Sequence, residues 1–78
     1  MSKYYNQPVQ MKMNGNTPAA FFFRDRWRFI VTIDRVQVRR DYLDPHIYQD
    51  TYRATLQDGG VCDLVDTRDG WVLERMWD

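Results

Sequence analysis

Three arginines lie within five residues of one another, among aromatic rings. They are Arg24, Arg26 and Arg28, and the rings beside them belong to Phe21, Phe22, Phe23 and Trp27. Guanidinium groups bind phosphate, and aromatic side chains on a sheet stack against unpaired bases. The segment therefore predicts contact with single-stranded or non-specifically bound nucleic acid. The residues predicted to contact it are Arg24, Arg26, Arg28, Arg39 and Arg40 for phosphate, and Phe21, Phe23 or Trp27 for stacking.

A second interpretation of the same residues needs no ligand. A closed barrel would bury the rings, and the arginines would cap its edge or pair with acidic residues. An exposed strand edge or aromatic face would then favour a protein-interaction module or a homodimer. Salt dependence separates the two hypotheses, because phosphate contacts weaken strongly with salt and apolar contacts do not.

The charge on the chain is segregated along the sequence, although the formal net charge is zero. Residues 1–40 carry eight basic and two acidic residues, and residues 41–78 carry three basic and nine acidic residues. Such asymmetry can mark a polyanion-binding surface, and it can equally mean that basic strands pair with acidic ones. Arg26, Arg35, Arg39 and Arg40 are the residues from which a basic rim is predicted.

Motifs for catalysis or for cofactors are absent from the sequence, so we expect no enzyme and no cofactor. Glycine-rich phosphate loops, serine elbows and paired glutamates do not occur, and Glu74 is the single glutamate. Cys62 and His46 are each the only residue of their type. A lone histidine is a poor metal-ligand set, and the aspartates do not follow calcium-loop spacing, so no metal is expected.

The length of 78 residues predicts one domain, over residues 8–78, after a disordered tail over residues 1–7. No apolar run is long enough to span a membrane, and the N-terminal residues lack the apolar segment of a secretion signal. A single cysteine cannot form an intrachain disulfide, and Cys62 is expected to be a small buried hydrophobe. These features together predict a cytoplasmic protein without a membrane partner.

Alternating and β-branched segments predict an all-β fold with little or no helix. The expected architecture has five or six antiparallel strands in a small SH3-like barrel or half-barrel. The predicted strands are residues 9–13, 19–24, 27–39, 48–57, 61–65 and 71–77, with a loop over residues 41–46. In the third strand, the apolar pattern changes parity near Asp34 and Arg35, which predicts a β-bulge or a bend.

Two hairpins fix the predicted faces. A tight turn at Asp25 and Arg26 sets Phe22 opposite Phe29. The predicted core face is Ala20, Phe22, Trp27, Phe29, Val31 and Ile33, and the opposite face carries Phe21, Phe23, Arg28, Ile30 and Thr32.

The segment Asp58-Gly-Gly60 predicts the hairpin between the fourth and fifth strands. A three-residue loop with Gly60 at positive φ would pair Leu56 with Cys62. Tyr52, Ala54 and Leu56 are predicted to point inward from the fourth strand.

Three segments resemble a family of small bacterial domains of unknown function. They are Phe21-Phe-Phe-Arg-Asp-Arg-Trp-Arg-Phe29, Tyr52-Arg-Ala-Thr-Leu-Gln-Asp-Gly-Gly-Val-Cys-Asp-Leu64 and Trp71-Val-Leu-Glu-Arg-Met-Trp-Asp78. The likeness covers residues 19–78, and Asp25 stands where the family pattern has glycine. The resemblance implies a β-fold and a link to DNA transactions. It supplies no established activity and no catalytic residue.

Overall fold

Six antiparallel strands form the fold, and the expected small all-β barrel is confirmed. The computed structural model describes residues 2–40 and 48–77, with the side chains of residues 3–38 and 49–77. The predicted loop over residues 41–46, including His46, lies outside the described residues. The strands are β1 (Ser2–Asn14), β2 (Thr17–Phe23), β3 (Arg26–Arg40), β4 (Tyr48–Leu56), β5 (Val61–Thr67) and β6 (Gly70–Trp77).

The strands follow one another in chain order around the barrel, and β1 closes it against β6. Two long strands each serve two neighbours. The first part of β1 pairs with β6 and its last part with β2, while β3 pairs first with β2 and then with β4. The part of the chain that the structure describes contains no helix that could cross a membrane.

The N-terminal residues differ from the predicted tail, because β1 already begins at Ser2. Ser2 lies opposite Trp77, and Val9 lies opposite Trp71. Without this pairing, β6 would present an unpaired edge, and barrel closure removes that edge. Residues 1–7 are polar and show no alternating pattern, so no local pattern indicated this strand. Its hydrogen-bonding partner is β6, which is distant in sequence.

The core is a cluster of buried side chains from β2, β4, β5 and β6. Ala54 and Leu56 point inward from β4 as predicted, and Cys62 is buried as expected. The clustered residues are Phe21, Phe23, Ala54, Leu56, Cys62, Leu64 and Leu73.

A one-residue bulge between β1 and β2 decides which face of β2 enters this core. Asn14 lies opposite Thr17, but farther along the hairpin Met11 lies opposite Phe21, with the register shifting between Lys12 and Met13. Without the bulge, Phe22 would lie opposite Val9 and point inward. A one-residue slip sends every side chain to the other face. The predicted core face of the β2–β3 hairpin is therefore wrong for Phe22, Trp27, Phe29 and Val31, which are exposed, whereas Phe21 is 0% and Phe23 is 3% exposed. Ala20 is buried and Ile33 packs against the core, as predicted.

The turn between β2 and β3 is formed by Arg24 and Asp25, one residue earlier than predicted. Both have positive φ, 53° and 64°, as a two-residue type I′ hairpin turn requires. Phe22 consequently lies opposite Trp27 rather than Phe29. Glycine adopts the conformation of Asp25 without steric cost.

The change of parity predicted in the third strand occurs twice in β3. The register against β4 shifts between Ile30 and Thr32, and again between Arg35 and Gln37. The second shift lies beside the predicted position. Because of the first, Ile30 and Ile33 both pack against the core, although their spacing of three would place them on opposite faces of a regular strand.

The loop of the β4–β5 hairpin lies one residue earlier than predicted, so the prediction for Gly60 is wrong. Gly59 has a φ of 92°, and the Leu56 N–H donates to the Gly60 carbonyl at 2.7 Å. Asp58 Oδ1 accepts from the Gly60 N–H at 2.9 Å. The resulting register pairs Ala54 with Cys62 rather than Leu56 with Cys62.

We predict that Gly59→Val destabilises the domain by about 1 kcal/mol or more, because valine is strained at positive φ. Apart from the adjacent residues of the chain, no atom lies within 4 Å of the position that a Cβ would take at Gly59, so backbone strain alone is tested. Thermal unfolding should shift down by several degrees, roughly 4–8 °C per kcal/mol. Gln57→Val in the same loop is the control, and equal melting temperatures for the two variants would contradict the assigned loop.

Candidate nucleic-acid interface

An aromatic surface faces outward on the sheet formed by β1, β2 and the start of β3. Cross-strand pairing places Gln10, Phe22 and Trp27 in one row and Lys12, Ala20 and Phe29 in the next. Residues in such rows share one face of a sheet. We call Phe22, Trp27 and Phe29 the aromatic platform.

The three platform rings are accessible to solvent. Trp27 is 41% and Phe29 is 54% exposed. Phe22 and Trp27 contact each other edge to face, with ring centroids 5.5 Å apart and an interplanar angle of 67°. Val31, two residues beyond Phe29, is 62% exposed. Isolated exposed rings are ordinary, whereas neighbouring exposed rings on one face are a candidate binding surface.

Of the basic side chains near the platform, Lys12 shares its face. Arg24 lies in the turn between β2 and β3, and Arg26 follows the turn opposite the buried Phe23; all three are exposed. Within the described part of the chain, Lys12 and Arg26 form no ion pair. Arg24 lies over the rings of Tyr5 and Phe23, and its Nη2 donates to the Tyr5 hydroxyl at 3.2 Å.

Arg28 is placed differently from the other two arginines of the hairpin. It lies opposite the buried Phe21, and its side chain is only 17% exposed. Its Nη1 donates to Asp58 Oδ2 at 2.7 Å. Hydrogen bonding from the Gly60 N–H, followed by the charge of Arg28, holds the pKa of Asp58 below its usual value. Arg28 is therefore neutralised and is not a free phosphate contact.

The predicted basic rim is not a single cluster. Arg35 lies nine residues after Arg26 on β3, a separation of up to about 30 Å along a strand. Arg39 and Arg40 lie farther still, where the structure describes the backbone alone, paired with Gln49 and Tyr48. Arg24 and Arg26 therefore lie near the β2–β3 turn, and Arg35, Arg39 and Arg40 lie farther along β3.

Part of the acidic charge of residues 41–78 is paired with arginines from the same half of the chain. Asp63 is 3% exposed and accepts hydrogen bonds from Arg53 Nε at 3.0 Å and from Arg75 Nε at 3.2 Å. Trp77 Nε1 donates to the same carboxylate at 3.3 Å. Among the ion pairs of the described residues, Arg28 with Asp58 joins the basic and acidic halves. The field of Lys12, Arg24 and Arg26 is accordingly not cancelled by Asp63.

The prediction that Phe21 and Phe23 stack against bases is wrong, because both rings are buried in the core. Trp27 keeps its predicted accessibility. Sequence reasoning missed Phe22, Phe29 and Lys12. In β1, Val9 and Met11 alternate with Gln10 and Lys12, and this alternation showed which face of β1 is polar. The bulge between β1 and β2 determines which residues of β2 share that face, and no feature of the sequence indicates the bulge.

Cys62 offers no reactive thiol in the folded protein. It is fully buried, and burial raises its pKa to about 12, with the nearby Asp63 charge acting in the same direction. A thiol with so high a pKa is not ionised at neutral pH, and the thiolate is the nucleophile. Among the described residues, no group of three histidine, cysteine, aspartate or glutamate side chains is placed to hold a metal ion.

We predict that Cys62 resists alkylation by iodoacetamide at pH 8 in the native state and reacts fully in denaturant. Exposing the folded protein to the reagent for several hours and measuring the mass tests this. Modification at the same rate in native and denatured protein would contradict the burial of the thiol.

The fold and surface define the class of this protein as a small closed all-β barrel with an exposed aromatic face. Comparison of the chain with protein-family models, with curated proteins and with solved structures found no match.

Proposed function

We propose that the protein is a non-enzymatic binding module for single-stranded nucleic acid. The observation that carries the proposal is the aromatic platform: Phe22, Trp27 and Phe29 are exposed on one face, which they share with the exposed Lys12. Bases stack on such rings with little dependence on sequence, and lysine or arginine side chains follow the phosphates. Duplex nucleic acid keeps its bases stacked on each other, so single strands are favoured.

Charge supports the same ligand. Lys12 on the platform face is exposed, and so is Arg26, which lines the same groove as Trp27 and Phe29. Counterion release makes phosphate contacts favourable at low salt. Two or three such contacts give weak binding that falls as salt rises.

Titration of fluorescently labelled DNA and RNA oligonucleotides at low and at moderate salt tests the proposal. Single strands should bind in the micromolar range at low salt, and raising the salt should weaken binding. Arg26→Glu should weaken it severalfold. Arg35→Glu changes the charge equally at a distance along β3 and is the matched control. Absence of binding at about 100 μM protein, or equal effects of the two reversals, would refute the proposal.

A second candidate, a protein-interaction module, is favoured by the exposed valines of β3. Val36 and Val38 are both 50% exposed, and residues 30–40 of β3 pair with β4, whereas pairing with β2 ends at Phe29. The edge of this segment that faces away from β4 therefore has no strand partner among the described residues, and an edge of that kind can pair with another chain. Association that is insensitive to salt would favour this candidate.

A further inference from the structure

A groove of about 240 Å³ opens at the edge of the aromatic platform, between the start of β3 and the loop of the β4–β5 hairpin. Trp27 and Phe29 belong both to the platform and to the lining of this groove, which also includes Arg26, Gln57 and Asp58. Sites that hold drug-sized ligands run to roughly 300–1,000 Å³. The groove is smaller than these, and its volume suits a sugar with its phosphate.

The groove carries one unpaired positive charge. Asp58 Oδ2 pairs with Arg28 Nη1 at 2.7 Å, so those two charges cancel. Arg26 is exposed and forms no ion pair among the described residues. After the hydrogen bond from the Gly60 N–H and the charge of Arg28, the charge of Arg26 also holds the pKa of Asp58 below its usual value, which places Arg26 near that carboxylate. One free guanidinium suits one phosphodiester, which carries a single negative charge.

The Asp58 carboxylate has room for a further donor. Its Oδ2 accepts from Arg28, and its Oδ1 accepts from the Gly60 N–H at 2.9 Å. A carboxylate can accept about four hydrogen bonds, and the Asp58 side chain is 51% exposed, so acceptor positions remain open to solvent. A sugar hydroxyl donates well to such an oxygen, whereas a phosphodiester has no proton to donate.

We propose that the groove takes the sugar–phosphate backbone of the strand whose bases stack on the platform, and that it selects ribose over deoxyribose. Arg26 binds the phosphate, and the Asp58 carboxylate accepts a hydrogen bond from the 2′-hydroxyl of the sugar. The 2′-hydroxyl is the group by which a protein distinguishes RNA from DNA at one site. The inference rests on the proposed function, and it narrows the ligand from single-stranded nucleic acid to RNA.

The test measures binding at low salt of three uridine strands of about ten nucleotides, a length that a small barrel can occupy. The 2′ position carries a hydroxyl in the first strand, hydrogen in the second and fluorine in the third. Fluorine preserves the sugar pucker of RNA and removes the proton. We expect the hydroxyl strand to bind about fivefold more tightly than the other two, since one hydrogen bond contributes about that much.

Asp58→Ala should abolish most of that preference. Asp69→Ala is the matched control, because it removes an exposed aspartate from the turn between β5 and β6, at the other end of β5 from Asp58. Each preference compares strands on the same protein, so a loss of folded protein in a variant cancels from the ratio.

Equal binding of the hydroxyl and fluorine strands to the wild-type protein would overturn the inference, and so would a preference that Asp58→Ala leaves unchanged. Weakening of all three strands by Phe22→Ala would show that the platform function survives that failure. If none of the strands binds at about 100 μM protein, which lies in the weak, non-specific range, the proposed function fails as well.

Discussion

Replacing Phe21 with alanine is expected to destabilise the protein by about 3–5 kcal/mol, the usual cost of removing a fully buried phenylalanine. Phe21 is 0% exposed and belongs to the central cluster with Leu64 and Leu73. A domain of this size has roughly 4–12 kcal/mol of total stability, so a large fraction would be lost. Urea unfolding followed by tryptophan fluorescence measures the change.

Phe22→Ala is the matched control, because the two phenylalanines are adjacent in sequence and differ in the face they occupy. Phe22 is 37% exposed, so Phe22→Ala removes a partly buried ring and its edge-to-face contact with Trp27, the contact itself contributing about 1 kcal/mol. The total loss should be smaller than for the fully buried Phe21. A larger loss for Phe22 than for Phe21 would mean that the bulge between β1 and β2 is misplaced.

Replacing Trp27 with alanine is expected to weaken binding of single-stranded oligonucleotides by about tenfold or more. Stacking of a base on an aromatic side chain contributes roughly 1–3 kcal/mol, and Trp27 neighbours both other platform residues, lying opposite Phe22 and two residues before Phe29. Its removal from a partly exposed site should change stability much less than Phe21→Ala does. Equilibrium titration at low salt, with the melting temperature measured in parallel, checks both expectations.

Trp77→Ala supplies the comparison for this prediction. Trp77 is 36% exposed, close to the 41% of Trp27, but it lies beside Arg75 and Asp63 on the β5–β6 side of the barrel. Its loss should leave oligonucleotide binding unchanged. If the two substitutions weaken binding equally, the platform is not the binding surface.

Element types and most boundaries were predictable from the sequence, because alternation and turn residues are local signals. Five of the predicted strands coincide with observed strands to within two residues, as with the prediction of 48–57 for β4 at Tyr48–Leu56. The inward residues Ala54 and Leu56 were also predictable, since only one face of β4 is apolar. The first seven residues were not, because their pairing with β6 is a long-range consequence of closure.

The orientation of the β2–β3 hairpin could not be predicted, because both of its faces are apolar. Phe21 and Phe22 are identical residues, so composition gives no reason to bury one rather than the other. The choice depends on one extra residue in β2, near Ala19, where the register against β1 shifts. The observed site differs from the predicted one accordingly. Trp27 is exposed as predicted, Phe22 and Phe29 are exposed in place of Phe21 and Phe23, and Arg28 forms an ion pair with Asp58.

The most direct test of the platform is a two-dimensional NMR titration that follows the three tryptophan indole N–H signals as oligothymidylate is added at low salt. Trp27 is on the platform, Trp71 contacts Tyr52, and Trp77 bonds Asp63, so two of the three signals serve as internal references. Binding on the platform should shift the Trp27 signal progressively and leave the Trp71 and Trp77 signals unmoved. A shift of Trp77 without Trp27, or no shift at saturating oligonucleotide, would contradict it.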